Sequence, residues 1–531
     1  MHFAFEPVAA WPPLAWLALC SPGSDRVVVR HGPSVGCAPA WFCEAIWDGP
    51  FTEGDFDRTD RVFGSGGRLR REGVVFVSSA TTVDRLCSFE REGTIAVSNS
   101  LACLAAALSL ALDPADTAAA EALARVTDGL RDPRRRLESL SGPVRLTVHD
   151  NLLWDGNALA PRPKPDPPRD FSSFERYRAF LAESLAALCE NLRAPARPRP
   201  LELLSTASSG YDSSAVTVLA AEAGLREVVT VDRSRYGRDD SGLFLIEHLG
   251  LTPVRVERRP GRVPPFTDVP FVVGDGVGRD VFLAGAEDRL AGRALLSGYH
   301  GDAVWGPGWS GAPPADRDLR RPMGRPAGLS LTEYRLWVGF IHCPLPYLGA
   351  RDVAQLRALS ASDEMRPWRR GGAYDRPLPR RILEEAGVPG SSFGTSKKVA
   401  GLLASYRPDL EALRERDPEA DADLRAWLSA HAHCWWRRGR LPPLWGDALE
   451  AALVRAVRAL WALLGPWLEP SEPARRHRLH VLLARLPAAR VSRHRLPWAL
   501  SRAAERYARA PAGRASVSAG GVGPGIDGPE E

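Results

Sequence analysis

Residues 201–216 read LELLSTASSGYDSSAV, and the rest of the chain is best read outward from them. The apolar run at 201–204 predicts a buried strand. Ser208, Ser209 and Gly210 then make a tight turn. From Asp212 an Ala-rich apolar run at helical spacing extends to Gly224, a residue suited to a helix C-terminus. Such a turn aims backbone N–H groups above a helix N-terminus, whose partial positive charge attracts anions. The hydroxyls of Ser208, Ser213 and Ser214 add donors, and the Asp212 carboxylate can hold a divalent cation against the bound anion. This is the pattern of a pyrophosphate cradle. It is not a Walker A loop, because no Gly-Lys-Ser/Thr closes it. The plain alternative is a solvated strand–helix turn in which Asp212 merely caps its helix.

Working outward, residues 227–232 (EVVTVD) predict a second buried strand, 239–249 a helix and 252–257 (TPVRVE) a third strand. Strands that alternate with helices imply an α/β fold with a parallel, doubly wound sheet. Ligands in such sheets sit beyond the strand C-termini. A further strand at 295–297 runs into the Gly-rich turn Ser297-Gly298-Tyr299-His300-Gly301-Asp302, which the same rule places beside the first turn. Helices are expected at 332–341 and 350–359.

Residues 208–214, SSGYDSS, resemble the SGGxDSS loop of the ATP pyrophosphatases, which cleave ATP between the α and β phosphates. Ser209 stands in place of the first glycine. Residues 295–306, LLSGYHGDAVWG, resemble the asparagine synthetase signature, a strand followed by SGxGxDExFGG. Tyr299 stands where that family has a glutamate, and Ala303 replaces the glutamate after the aspartate. The resemblance implies that Ser208, Gly210, Asp212, Ser213, Ser214, Ser297 and Gly298 bind ATP and its pyrophosphate. It implies that Asp212 and Asp302 hold Mg2+. A third segment, 374–400, resembles the family's helix after "LP", which leads to a catalytic lysine and so implicates Lys397 or Lys398. Those two and Lys164 are the only lysines among 69 basic side chains. A compact ammonium reaches a buried oxygen that a planar guanidinium does not.

Residues 1–158 are rich in short β-like runs, at 26–30, 73–78, 85–89 and 94–98, followed by a helix from Leu101 to about Leu112 capped by Asn99-Ser100. The stretch 89–104, FEREGTIAVSNSLACL, resembles a landmark of the N-terminal amidotransferase domain of asparagine synthetases. The family nucleophile is a cysteine immediately after the initiator Met, and here that position is His2. A thiolate acting with its own chain-terminal amine cannot be replaced by an internal cysteine. The expected organisation is therefore a degenerate class II glutamine amidotransferase-like domain at 1–158 and a Pro-rich linker at 159–171. An asparagine synthetase-like ATP-binding domain follows at 172–405, opening on a helix capped by Ser172-Ser173. A helical extension, rich in Arg and Trp, occupies 406–509, and a Gly/Ser/Pro-rich tail 510–531.

Composition narrows the partners. At 531 residues, 25% charged and with a net charge of +5, the chain reads as globular with two or three domains, and nucleic acid is not an expected partner. The eight cysteines show no CxxC pair and read as reduced thiols of a cytoplasmic protein. His431-Ala-His433-Cys434 lies in a Trp-rich helical run and reads as packing, not as a metal cluster. No uncharged apolar run reaches about 18 residues, so no membrane span is expected. The nearest candidate, residues 451–468, carries Arg455 and Arg458 and reads as an amphipathic helix. The N-terminal run lacks a basic region and is broken by Pro12-Pro13, against a signal peptide.

Together these readings predict an ATP-dependent enzyme that activates a carboxylate as its acyl-adenylate and forms an amide with an amine, without hydrolysing glutamine. β-Lactam synthetase and the lasso-peptide cyclases are relatives of that kind, which suggests natural-product or surface-polymer biosynthesis. Lys398, Lys397 and Tyr299 are the expected catalytic set, and ATP and Mg2+ the cofactors. The acid is a small molecule or a peptide, and a homodimer or a biosynthetic partner protein is left open. The alternative is a pseudoenzyme scaffold that retains the fold and, at most, nucleotide binding.

Overall fold

The computed structural model describes residues 1–116, 136–231, 239–256, 283, 286–306, 329–371, 374–394, 418–468, 471–472, 475, 478–479 and 495–509. Among them the chain is mixed α/β, with an N-terminal β-rich domain and a separate parallel sheet with helices.

The β-rich part runs through β1 (His2–Pro7), β2 (Trp16–Cys20), β3 (Arg26–His31), β4 (Gly36–Ala38), β5 (Trp41–Trp47), β6 (Val62–Arg70) and β7 (Gly73–Val77). It continues through β8 (Leu86–Arg91), β9 (Thr94–Ser98), helix α1 (Leu101–Leu108), β10 (Arg136–Ser139), β11 (Gly142–Thr147), β12 (Asn151–Trp154) and β13 (Leu159–Arg162). One sheet has the order β1-β3-β2-β9-β8-β11-β10 and the other β13-β12-β7-β6-β5-β4. Their facing surfaces share a core of Phe3, Trp16, Val27, Phe42, Phe76 and Trp154. Alternation along β5 sends Trp41, Cys43, Ala45 and Trp47 to a second core on the other face. Ser100 caps α1 by accepting from the Cys103 N–H, as expected. The helix stops at Leu108, four residues earlier than the sequence suggests, because Ser109 turns left-handed at φ 51°. The Pro-rich segment is not a free linker at its start: residues 159–162 are β13, paired with β12. Two residues on, Lys164 is buried and donates to the Ser78 carbonyl and Asn151.

Next come α2 (Phe174–Leu192), β14 (Glu202–Ala207), α3 (Tyr211–Glu222), β15 (Glu227–Val231), α4 (Leu243–His248) and β16 (Thr252–Val256). They are followed by α5 (Glu287–Leu290), β17 (Arg293–Ser297), α6 (Gly301–Val304), α7 (Leu329–Val338), β18 (Ile341–Pro344), α8 (Val353–Ala361) and α9 (Pro377–Glu385). Every pairing in this five-stranded sheet is parallel, in the order β16-β15-β14-β17-β18. Ser173 caps α2. Of the face expected from spacing, Phe174, Tyr177, Leu181, Leu185 and Leu188 are buried, while Phe180 is only half-buried. Gly224 takes φ 88° just past the end of α3, a conformation open to glycine at no steric cost.

Further elements differ from expectation, among them the helix expected at 350–359, which begins at Val353. The helix predicted at 239–249 begins only at Leu243, because the preceding residues are tied to the sheet. Ser241 bridges Ser208, and the Gly242 N–H donates to Thr230. The helix predicted at 332–341 ends at Val338, where Gly339 turns at φ 88°, and Ile341 opens the strand β18, which the sequence did not reveal.

The C-terminal helices α10 (Pro418–Ala430), α11 (Ala432–Trp436), α12 (Pro443–Leu468) and α13 (Arg495–Arg509) follow. Leu424, Leu428, Trp435, Trp498 and Tyr507 join α1 and the outer face of the first sheet in one core. The end of the chain thus packs on its beginning. Across the junction between the two sheet systems, Arg335 of α7 donates to Glu44 of β5 at 2.7 Å and to Asp84 at 2.8 Å, all fully buried. Ser65, Asn99 and Thr332 complete that network, and Ser100 donates to Glu333 beside it.

Candidate functional site

The site lies where the order of the parallel strands reverses, between β14 and β17. Each strand ends in one of the two loops singled out in the sequence. The chain leaves β14 at Ala207 and turns through Ser208, Ser209 and Gly210 into α3, whose N-cap is Gly210 with no side-chain cap. The first N–H groups of α3 therefore lack both intrahelical acceptors and a capping side chain, the condition that favours an anion at a helix start. The loop is stitched from within. Ser208 Oγ accepts from the Gly210 N–H at 3.1 Å and lies 2.7 Å from Ser213 Oγ, while Ser214 donates to the Ser208 carbonyl at 2.6 Å.

Ser209, in place of the loop's first glycine, adds a side chain to a turn whose backbone would face an anion. Its hydroxyl is turned away: it donates to Asp240 at 2.5 Å, and its N–H donates to the Asp240 carbonyl. The loop before α4 thus holds the added side chain. That use of Asp240 was not legible in the sequence.

The second loop closes onto the first. A side-chain carbon on Gly298 would collide with the backbone of Asp212 and Ser213, and one on Gly301 would fall 2.6 Å from the Asp212 carboxyl carbon. Only glycine permits this approach. Asp302 follows Gly301 in the first turn of α6, so the two expected metal carboxylates come from adjoining loops. His300 caps α6 at φ 62°, a left-handed conformation uncommon for a non-glycine residue and one that clusters at functional sites.

Around the second loop stands a group of side chains that sequence reasoning passed over. Ser297 Oγ lies 2.7 Å from His342 Nε2, and both residues are buried. Tyr299 meets the rings of His300 and His342 edge-on, at 4.4 and 5.8 Å between centroids. His300 in turn meets Tyr347, whose hydroxyl pairs with Thr82 of the β-rich domain. Burial pushes His342 down to about 4, so its imidazole is neutral near pH 7. Its Nδ1 is buried with no hydrogen-bond partner among the described residues. A histidine inside the apolar run Ile341-His-Cys-Pro was the one available signal.

Arginines close the site from the side. Arg376, at the N-cap of α9, donates to both oxygens of Asp212 at 2.9 Å. Arg380 lies over the rings of Tyr211 and Phe393 and hydrogen-bonds the Tyr211 hydroxyl. Leu378 and Pro379 thus lie in the first turn of α9, not ahead of it, and the start of α9 packs on the start of α3. The Gly394 N–H donates to the Ser209 carbonyl at 2.9 Å. Lys397 and Lys398 follow Gly394 by three and four residues and lie outside the described residues.

No protein-family model matches this chain, and no curated protein matches it. Its chemistry is therefore read from the site itself. No group of three or more His, Cys, Asp or Glu side chains among the described residues could hold a metal alone. Two carboxylates are what a magnesium ion needs when phosphates and waters supply its remaining ligands. A cavity of about 100 Å3, bordered by Leu14, Arg197, Leu201, Gly292 and Gly339, lies at the opposite end of the strands and takes no part in the site. The sequence reads the eight cysteines as reduced, mostly buried thiols. Six of them are buried, and burial raises their thiols, whereas Cys434 is half-buried and Cys37 exposed.

Proposed function

We propose that the chain is an asparagine synthetase-like ligase of the ATP pyrophosphatase type, built on a doubly wound sheet, that forms an amide bond at the expense of ATP. One observation carries the reading. Two loops some ninety residues apart, each resembling a family motif, meet at the C-terminal ends of adjacent parallel strands, with Gly298 and Gly301 packed on the backbone and carboxylate of Asp212.

In this reading ATP is a substrate. The N–H groups opening α3, with Ser208, Ser213 and Ser214, bind its β and γ phosphates as the leaving pyrophosphate. Asp212 and Asp302 hold magnesium, which when bound neutralises charge developing on the phosphate oxygens. Carboxylate attack on the α-phosphate gives the acyl-adenylate and pyrophosphate. An amine then attacks the acyl carbon, AMP leaves, and the amine's proton is lost to solvent, with Tyr299, whose ring meets His342 edge-on, beside the reacting groups. Lys397 or Lys398 supplies a compact cation to the developing negative charge.

Titration of Mg-ATP into wild type and Asp302→Asn tests the binding half of the reading. Loss of affinity in the variant is expected, and unchanged affinity would remove the shared-metal role. Pyrophosphate release with candidate acids tests the rest. Lys398→Arg, or failing that Lys397→Arg, should slow turnover roughly a hundredfold, about 3 kcal/mol of transition-state stabilisation. The double variant turning over like wild type would exclude both lysines.

A second reading, a pseudoenzyme scaffold, is favoured by Arg376, one nitrogen of which donates to both Asp212 oxygens and neutralises the carboxylate without a metal. Mg-ATP binding without pyrophosphate release for any carboxylate would select it.

A further inference from the structure

Helix α12 does not behave like the other described helices. Trp445, Leu449, Leu453, Leu460, Leu463 and Trp467 recur along it at helical spacing and fall within an arc of about 80° at ~100° per residue. Every one of them is exposed, Leu463 at 72% and Trp467 at 87%. Isolated exposed leucines need no explanation, but a continuous stripe along a helix roughly 39 Å long is an interaction surface. Arg455 and Arg458 are exposed on the other side of the same helix.

Charge is segregated into the same segment. Residues 431–509 contain fifteen arginines against five acidic residues, a net +10, so the remaining 452 residues carry −5 of the chain's total of +5. Arg437, Arg440, Arg455 and Arg458 are among the exposed members. A Trp/Leu stripe backed by arginines in a strongly basic segment has the chemistry of a helix lying in the headgroup region of an anionic bilayer. No described helix is long and apolar enough to cross a membrane. Spanning would also draw Arg455 and Arg458 into hydrocarbon, whereas lying flat leaves them at the phosphates. A second copy is disfavoured as the occupant, because pairing the stripe with itself would bring two such basic segments together. At its N-terminal end α12 is fixed to the body through Leu444, packed against the core shared by α1 and α13.

We propose that α12 is an interfacial anchor that seats the protein on an anionic phospholipid surface. The proposal is independent of the reaction proposed above. The test is sedimentation of the full-length protein with phosphatidylcholine vesicles and with vesicles in which about a third of the lipid is phosphatidylglycerol. Wild type should bind the anionic vesicles at least about tenfold more tightly, with binding falling as salt is raised. Leu463→Glu/Trp467→Glu should lower that binding by about tenfold or more, at an unchanged melting temperature, since both side chains are exposed. Arg455→Glu/Arg458→Glu should flatten the salt dependence. If the first double variant melts early, Trp467→Ser takes its place. Equal binding to neutral and anionic vesicles, or wild-type binding by these variants, would overturn the proposal. So would an absence of vesicle binding accompanied by a wild-type dimer that Leu463→Glu/Trp467→Glu dissociates, which would assign the stripe to a second copy.

Discussion

Two arginine–carboxylate contacts in this molecule look alike on paper and differ in kind. Arg335 meets Glu44 and Asp84 at the junction between the sheet systems, with all three side chains sealed from solvent. Arg376 meets Asp212 at the open end of the parallel sheet, where the Asp212 side chain is 22% exposed. Burial raises Glu44 above the ordinary carboxylate range even with Arg335 beside it. Although burial opposes it, the paired carboxylates hold the Arg335 charge firmly in place. Ser65 and Asn99 also donate to Glu44, and Thr332 to Asp84. That network is closed. It joins the domains and leaves nothing for a ligand to exchange. The Asp212 pair sits in a loop seam lined by glycines, where an arriving cation could take over from the guanidinium. A satisfied buried charge reports architecture, and a partly exposed one beside a helix N-terminus marks a candidate site.

The largest expected effect tests the closed side of that contrast. Arg335→Met leaves two buried carboxylates without their cation and should cost roughly 3–5 kcal/mol, read as a large drop in the urea midpoint. Arg376→Met should cost only about 1–2 kcal/mol. Equal losses would erase the distinction drawn here.

Next, Asp212→Asn should weaken Mg-ATP binding by tenfold or more, about 1.4 kcal/mol, with little change in urea midpoint. Asp84→Asn should do the reverse. A calorimetric titration and a urea melt on each variant suffice. If Asp212→Asn were as destabilising as Asp84→Asn and bound nucleotide normally, the open pair would be structural too.

A smaller effect sharpens the electrostatics. His342 is held neutral by burial, its folded value pushed down from 6.5 to about 4. The stability it contributes is present above about pH 6.5 and is lost as pH falls toward 4, because the unfolded chain gains the proton first. Burial raises Glu333 from 4.5 to about 7, so its contribution is present below about 4.5 and is lost as pH rises through 7. His342→Gln should flatten the acid limb of stability against pH, and Glu333→Gln the neutral limb. Unchanged limbs in both variants would show that neither group is buried in solution as it is here.

The smallest effect is an expected slowness of reaction. Because burial raises the six enclosed thiols, iodoacetamide at neutral pH should label those six slowly in the folded chain, with Cys37 and Cys434 reacting ahead of them, and should not change its turnover. Rapid labelling of any one of the six would show that its thiol is not enclosed in solution.

Much of the site was legible for one physical reason: tight turns between a strand and a helix have residue requirements that show locally. Ser208, Gly210, Ser213 and Ser214 announced the first loop, and Ser297, Gly298 and Gly301 the second. Helix caps were equally readable, as at Ser100 and Ser173, because a capping hydroxyl acts within three residues of its own position. The residues missed are those whose partners lie far along the chain. Asp240 restrains Ser209 across 31 positions, Arg376 reaches Asp212 across 164, and His342 meets Ser297 across 45. Strand β18 was lost for the same reason, since four residues in an apolar stretch become a strand only beside β17.

By itself, then, the sequence determined the alternation of strands and helices, the glycine-bearing turns and the amphipathic character of α12. These depend on backbone conformation and on spacings of a few residues. Only the tertiary structure decided which charges are closed and which are open, that the terminal helices pack on the first sheet, and that the stripe on α12 stays uncovered among the described residues. Burial and pairing are properties of contacts between distant segments, and a linear pattern does not contain them.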